Sequence, residues 1–275
     1  MVRTMEISRR TLVKPRLLNL VFLAMICLSP PGGFAVEPQD LSGVSDTNVL
    51  KNYDLGDLRV TNPGSLHTLQ SYEAPVKLEE WKKRKAEMRR DILVHAGMWP
   101  MPGLGPVTAE VFDRSVHDGY SIEKVILETF PGFVLTGNLF RPYPSIENQK
   151  YPGIICPHGH WDRGRFEDSE TASVSGRALS FARQGYVCIT YDMIGYGDNV
   201  NVFYPHRFRS VRDMLWGVTP GGLQLLNSVR VIDFMQSLPD VDDARIGCTG
   251  ASGGGTQTFM ISAIDDRVKV AAPVN

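Results

Sequence analysis

The segment Gly250-Ala251-Ser252-Gly253-Gly254 has the residue types and spacing to do covalent chemistry. It fits G-x-S-x-G, in which a sharp turn from a strand into a helix lifts a serine hydroxyl above a sheet. The glycines are needed because the turn strains the serine backbone and leaves no room for flanking side chains. The helix that follows aims its amino end at the site, where free N–H groups can stabilise developing negative charge. Ser252 is therefore the candidate nucleophile. Two other readings of these glycines fail. A phosphate-binding loop needs Lys and then Ser or Thr, and Gly253-Gly254-Gly255-Thr256-Gln257 has no lysine. A dinucleotide fingerprint needs G-x-G-x-x-G opening a first strand-helix-strand unit, and this segment has neither the spacing nor the place.

A second motif, Pro157-His158-Gly159-His160-Trp161, directly follows a strand-like run. In folds built on a serine elbow, a loop at this place gives one backbone N–H to an oxyanion hole, and the residue after the nucleophile gives the other. The expected donors are the N–H groups of His160 (or Gly159) and Gly253. A metal reading competes, because His158-x-His160-x-Asp162 has the spacing of some metallohydrolases. No further histidine cluster follows, and the serine elbow already accounts for the loop, so no metal and no organic cofactor is expected.

The elements that must position these residues alternate along the chain. A helix is expected at about 78–96, followed by the breaker-rich Met98-Trp99-Pro100-Met101-Pro102-Gly103. Ile122–Phe130 and Phe133–Arg141 are strand-like runs around Pro131-Gly132, which reads as a hairpin. Strands are then expected at Gly153–Pro157, Val187–Tyr191, Arg245–Thr249 and Val268–Ala272, with helices at 172–184, 221–238 and 253–264. Strand alternating with helix at this spacing implies an α/β fold, a mainly parallel sheet covered by helices on both faces.

Of the 275 residues, 43% are hydrophobic and 21% charged, which excludes a disordered chain and supplies one large core. A formal net charge of −1 gives no footprint for nucleic acid. The one basic cluster, Lys82-Lys83-Arg84-Lys85 with Arg89-Arg90, opposes Leu78, Trp81, Met88, Ile92 and Ala96 at helical spacing and reads as a solvated helix face. Of the four cysteines, the three beyond residue 35, Cys156, Cys188 and Cys248, each sit inside a short apolar run and read as buried free thiols.

Residues 1–35 read as an export signal. Arg3, Arg9, Arg10, Lys14 and Arg16 precede the apolar Leu17–Leu28, and small residues at Gly33 and Ala35 suit cleavage after Ala35. Ser8-Arg9-Arg10-Thr11-Leu12-Val13-Lys14 resembles a twin-arginine signal, with a Sec n-region and an uncleaved anchor as the alternatives. A periplasmic or extracellular protein without a stable membrane anchor is expected. Residues 36–77, rich in Pro, Gly, Ser and Asn, read as an extended arm before a domain at 78–275.

Taken together, Trp81, Trp99-Pro100, the strand pair at 122–141, His158-Gly159-His160, Asp192-Met193-Ile194-Gly195-Tyr196-Gly197 and the elbow with its flank Arg245-Ile246-Gly247 resemble the α/β-hydrolase superfamily. Within it, residues 78–275 look most like bacterial acetyl xylan esterases and dienelactone hydrolase-like esterases. The resemblance implies a carboxylic ester hydrolase acting through an acyl-enzyme on Ser252, with a small-molecule or carbohydrate ester as substrate.

The superfamily orders its triad as serine, acid, histidine, yet His67, His95, His117, His158, His160 and His206 all precede Ser252. Asp265 and Asp266 read as turn residues pairing with Arg267 or Lys269. His206 lies in the aromatic stretch Phe203–Phe208, expected to cover the acyl pocket. The expectation is a fold truncated after the strand that follows the elbow, with the acid and histidine beyond residue 275 and little activity from this chain alone. The alternatives are a prolyl-oligopeptidase-like peptidase and a non-catalytic interaction protein on the same scaffold. The sequence leaves the oligomeric state open.

Overall fold

The structure, a computed structural model, describes residues 73–199, 206 and 210–274. The expected export signal, most of the expected arm, and His67 lie outside the described residues. Among the described residues no helix is long and apolar enough to cross a membrane.

Among the described residues seven strands form one sheet: β1 Thr108–His117, β2 Tyr120–Phe130, β3 Phe133–Pro142, β4 Tyr151–Pro157, β5 Val187–Tyr191, β6 Val241–Ala251 and β7 Val268–Val274. Their order across the sheet is β1-β2-β3-β5-β4-β6-β7. The sheet is mixed. β5, β4, β6 and β7 run parallel, whereas β1, β2 and β3 pair antiparallel with one another and β3 pairs antiparallel with β5. The expected hairpin turns at Gly132, whose φ of 79° suits a residue without Cβ. β1 was not foreseen. Nearly all of it is exposed, so its sequence lacks the apolar alternation that marks a half-buried strand.

Among the described residues five α-helices accompany the sheet: α1 Leu78–His95, α2 Val174–Arg183, α3 Val211–Leu215, α4 Pro220–Ser237 and α5 Gly253–Ile264. Start signals are local. Ser173 Oγ accepts from Gly176 N–H at 2.9 Å, and Thr219 Oγ1 accepts from Gly222 N–H at 3.0 Å with Pro220 just inside α4. Strand alternation then divides the core in two. Leu139, Ile155 and Ile189 point to the face packed by Leu93 of α1, Ile232 and Met235 of α4 and Ile261 of α5. Their neighbours Phe140, Cys156 and Cys188 point to the other face, against Ala178 and Ala182 of α2. Fully burying one Leu or Ile side chain contributes about 1.5–3 kcal/mol.

The apolar side of α1 is shorter than its sequence suggests, since Leu78 and Trp81 are exposed and burial begins near Ile92 and Leu93. The basic face is not simply solvated either. Lys85 Nζ and Arg89 Nη2 each lie 2.6 Å from Asp266 Oδ1, which fastens α1 to the turn after α5. Asp266 thus reaches across to α1, while Asp265 pairs with Arg267 at 2.7 Å as expected of a turn residue. Cys156, Cys188 and Cys248 are buried and free.

Candidate active site

Three parallel strands deliver the site. β4 ends at Pro157, β5 at Tyr191 and β6 at Ala251, so the segments beginning at His158, Asp192 and Ser252 emerge at one edge of the sheet. In open α/β sheets this carboxyl edge is where ligands bind.

Ser252 is exposed and takes φ 57° and ψ −120°, a conformation that L residues rarely adopt. Its N–H donates to the Val274 carbonyl at 2.9 Å, and its carbonyl accepts from Thr256 N–H at 2.9 Å, so β7 and α5 both hold the turn. The glycines that follow are demanded by close approach. A Cβ on Gly254 would lie 2.2 Å from the Pro157 carbonyl oxygen, and one on Gly255 would lie 2.2 Å from that of Val274. The first turn of α5 is thereby pressed against the ends of β4 and β7. The helix amino end, with its partial positive charge, sits directly behind the serine.

The His158-Gly159-His160 segment lies against this turn. His158 is fully buried, with Nδ1 2.7 Å from the Gly159 carbonyl and Nε2 accepting from Met193 N–H at 3.0 Å. The carbonyl partner requires the proton on Nδ1, so the ring is neutral and spans the loops after β4 and β5. Burial pushes its pKa down to about 4. Both ring nitrogens are engaged within the protein, which removes His158 from the H-x-H-x-D metal reading. The His160 ring faces Gly253, and it meets the His206 ring edge-on with centroids 4.8 Å apart. His206 also meets Tyr196 at 4.8 Å and donates from Nδ1 to the Ile194 carbonyl at 2.9 Å. Of the expected aromatic stretch over the pocket, His206 alone is among the described residues, and it reaches the site.

Sequence reasoning quoted Asp192 only as part of a motif and missed Arg165 and the pairing beneath these loops. Asp192, fully buried, is ion-paired with Arg165 and accepts from Thr136 Oγ1 at 2.6 Å and Asp198 N–H at 3.1 Å. Arg165 continues to Asp198 Oδ2 at 2.5 Å and Asn138 Oδ1 at 2.9 Å. Burial raises the Asp192 pKa, and the Arg165 charge and the donated hydrogen bonds oppose that rise. The network ties the loop after β4 to the loop after β5. Arg165 carries no periodic signal, so nothing in its local sequence announces a partner 27 positions away.

A cavity of about 270 Å³ opens beside the elbow, lined by Gly253, Gln257 and Met260 of α5, by His160, and by parts of α1 and α4. His95, at the end of α1, lines it with Nδ1 2.7 Å from the Asp91 carbonyl. His117 ends β1 and stacks on Tyr120 with centroids 4.9 Å apart, far along the sheet from the elbow in strand order. The arrangement offers a raised serine hydroxyl, a helix amino end behind it and a small cavity alongside. A nucleophile placed before such dipoles is among the features that covalent acyl transfer uses.

Comparison with known proteins agrees with this geometry. A family model described as acetyl xylan esterase (AXE1) matches residues 120–275. YtaP of Bacillus subtilis (strain 168), named as a hydrolase, is 27% identical over 197 residues, covering 68% of this chain and 62% of that protein. Acetyl esterase Axe7A of Xylanibacter ruminicola is 22% identical over 172 residues, covering 59% of this chain and 37% of that protein. The solved structure of Methylesterase BT1017 superposes with a TM-score of 0.61 at 28% identity, covering 72% of this chain and 42% of that one. The chain therefore spans less than two thirds of the length of each of these relatives.

Proposed function

The chain belongs to the acetyl xylan esterase family within the α/β-hydrolase class, and from that premise we propose that Ser252 is the nucleophile of a serine carboxylic ester hydrolase. The observation that carries this reading is the exposed Ser252 at φ 57°, placed between the carboxyl end of β6 and the amino end of α5. In the proposed reaction Ser252 Oγ bonds to the ester carbonyl carbon, and the alkoxy group leaves as an alcohol. The carbonyl oxygen, negative in the tetrahedral intermediate, accepts from the N–H groups of Gly253 and His160. Water then hydrolyses the acyl-enzyme and regenerates the serine. A base must take the Ser252 proton. The superfamily takes this base from a histidine that follows the serine, and none of the six histidines in this sequence does so. His158 does not fill the role, because its Nε2 is held by Met193 N–H.

The inferred substrate is a carbohydrate ester, supported by the family and by the name of Axe7A. The basic and apolar runs at the start of the sequence support an exported protein. The test is labelling of the purified chain with a fluorophosphonate, alongside hydrolysis of nitrophenyl acetate. Without a histidine after the serine both are expected to be weak, and what is seen of either is expected to require Ser252 and to disappear in Ser252→Ala. Labelling that persists in that variant rejects the assignment, and hydrolysis that appears only with added imidazole places the base outside these residues.

A further inference from the structure

Cys156 of β4 and Cys188 of β5 lie on adjacent parallel strands, Cys188 opposite Ile154, and their side chains meet on the face covered by α2. The Cys188 S–H donates to Cys156 Sγ at 3.5 Å, and neither side chain reaches solvent. Arg177, next to Ala178 on α2, brings a positive charge to the pair, and its Nε and Nη2 are buried without a hydrogen-bond partner. Buried polar atoms are almost always paired, and a cation so placed beside a thiol favours the thiolate. The Cys188 hydrogen bond and the Arg177 charge hold the Cys156 thiol below its ordinary value against the effect of burial, whereas burial pushes Cys188 well above its own. One sulfur is thus the better nucleophile, and its neighbour keeps a proton to give. Cys248 shows the contrast: its thiol donates to Thr258 Oγ1 at 3.3 Å, and burial pushes it up to about 12. Two thiols packed only to fill space leave the Arg177 nitrogens unexplained.

We propose that Cys156 and Cys188 form a modification site, a dithiol that a hydroperoxide oxidises to a disulfide, with Cys156 as the first sulfur to react. Cys156 Sγ attacks one peroxide oxygen, the O–O bond breaks, and the other oxygen leaves as water with the proton that Cys156 gave up. Cys188 Sγ then attacks the sulfenic acid at Cys156. The S–S bond forms, the S–O bond breaks, and a second water carries away the Cys188 proton. The two thiols lose two electrons and the peroxide gains them, so no other oxidant is needed. Burial of both sulfurs selects an oxidant little larger than water, and Arg177 is itself partly exposed, so the pair lies under a side chain that solvent reaches. Bond formation brings the sulfurs from 3.5 Å to about 2.05 Å. Cys156 precedes His158 by two residues and Cys188 precedes Asp192 by four, so the disulfide fastens β4 to β5 directly beneath the loops of the candidate active site.

The test exposes the full chain, reduced and folded, to hydrogen peroxide, blocks the remaining thiols and maps every cysteine by peptide mass spectrometry. The expected product is the Cys156 peptide joined to the Cys188 peptide, formed at least about tenfold faster than Cys248 is oxidised. In Cys188→Ser the reaction is expected to stop at the Cys156 sulfenic acid, which dimedone traps. In Cys156→Ser no dimedone adduct is expected at Cys188, and an adduct there overturns the order of attack. Arg177→Met is expected to slow the linkage about tenfold, and Arg177→Lys, which keeps the charge, to slow it less. Should a variant fail to fold, the linked peptide and its rate against Cys248 in the unsubstituted chain decide the question. The proposal is overturned by sulfurs that stay unlinked, by a link that forms only after urea unfolds the chain, by Cys248 reacting as fast, or by a rate that ignores the loss of the Arg177 charge. None of these readouts needs esterase activity, so the site stands or falls apart from the role proposed for Ser252.

Discussion

The ring of His160 occupies the space that a side chain at position 253 would need: a Cβ on Gly253 would lie 2.4 Å from its Cε1 and 2.5 Å from its Nδ1. This contact couples the loop after β4 to the first turn of α5, the two segments from which the oxyanion donors are proposed to come. Gly253→Ala is expected to push the two apart while leaving the distant core intact. Fluorophosphonate labelling and nitrophenyl acetate turnover should then fall about 10²- to 10³-fold, the usual cost of one lost oxyanion donor. Turnover within a factor of a few of the unsubstituted chain would show that the contact does not set the donor geometry.

The Ser252 backbone offers a test of stored strain. Glycine adopts φ 57° without penalty, so Ser252→Gly should abolish labelling yet raise stability by about 1 kcal/mol, strain relief outweighing the extra freedom of glycine in the unfolded chain. The measurement is the urea unfolding midpoint. A variant less stable than the parent would mean that the hydroxyl, and not the strain, dominates at this position.

Asp192 and Arg165 form a buried pair that holds the two loops, and breaking it should cost far more than breaking a surface pair. Asp192→Ala leaves the buried Arg165 with only the largely exposed Asp198 as ion-pair partner and is expected to destabilise the fold by the lower part of about 3–5 kcal/mol. The double variant Asp192→Leu with Arg165→Met should recover much of that loss, because both desolvation penalties disappear together. By contrast Asp266→Asn, at the half-exposed contact with Lys85 and Arg89, should cost no more than about 1 kcal/mol and less in high salt.

His158 makes stability depend on pH. Its folded pKa of about 4 lies below the ordinary 6.5, so between those values the unfolded chain binds the proton that the folded chain refuses. Stability is then fully present above about pH 6.5 and falls as the pH drops toward 4, by up to about 3 kcal/mol from this group. Urea titrations at pH 7.5 and 4.5 on the parent and on His158→Gln measure it. The variant keeps an acceptor for Met193 N–H but cannot take up the proton, so its curve should be the flatter one. Equal pH slopes would remove His158 as the cause.

Much of the scaffold was legible because its signals are local. The breaker dipeptide Pro131-Gly132 and the glycine run after Ser252 each constrain their own few residues of backbone. β1 escaped because an exposed edge strand carries little hydrophobic period. The apolar stripe of α1 was overread at Leu78 and Trp81, where helical spacing predicts a buried face but no element among the described residues covers it. Spacing reports which residues share a face, and only packing decides whether that face is buried.

The candidate site divides along the same line. Sequence alone singled out the serine proposed as nucleophile and the N–H donors proposed with it, since a serine between glycines at a strand-to-helix junction is defined by the covalent chain itself. The tertiary structure decided what surrounds them: the His160 ring over Gly253, His206 against Tyr196 and the Asp192–Arg165 pair. Those contacts join the segments after β4, β5 and β6. Neither partner encodes the other locally, because their meeting follows from strand order and from the close approach of packed backbones.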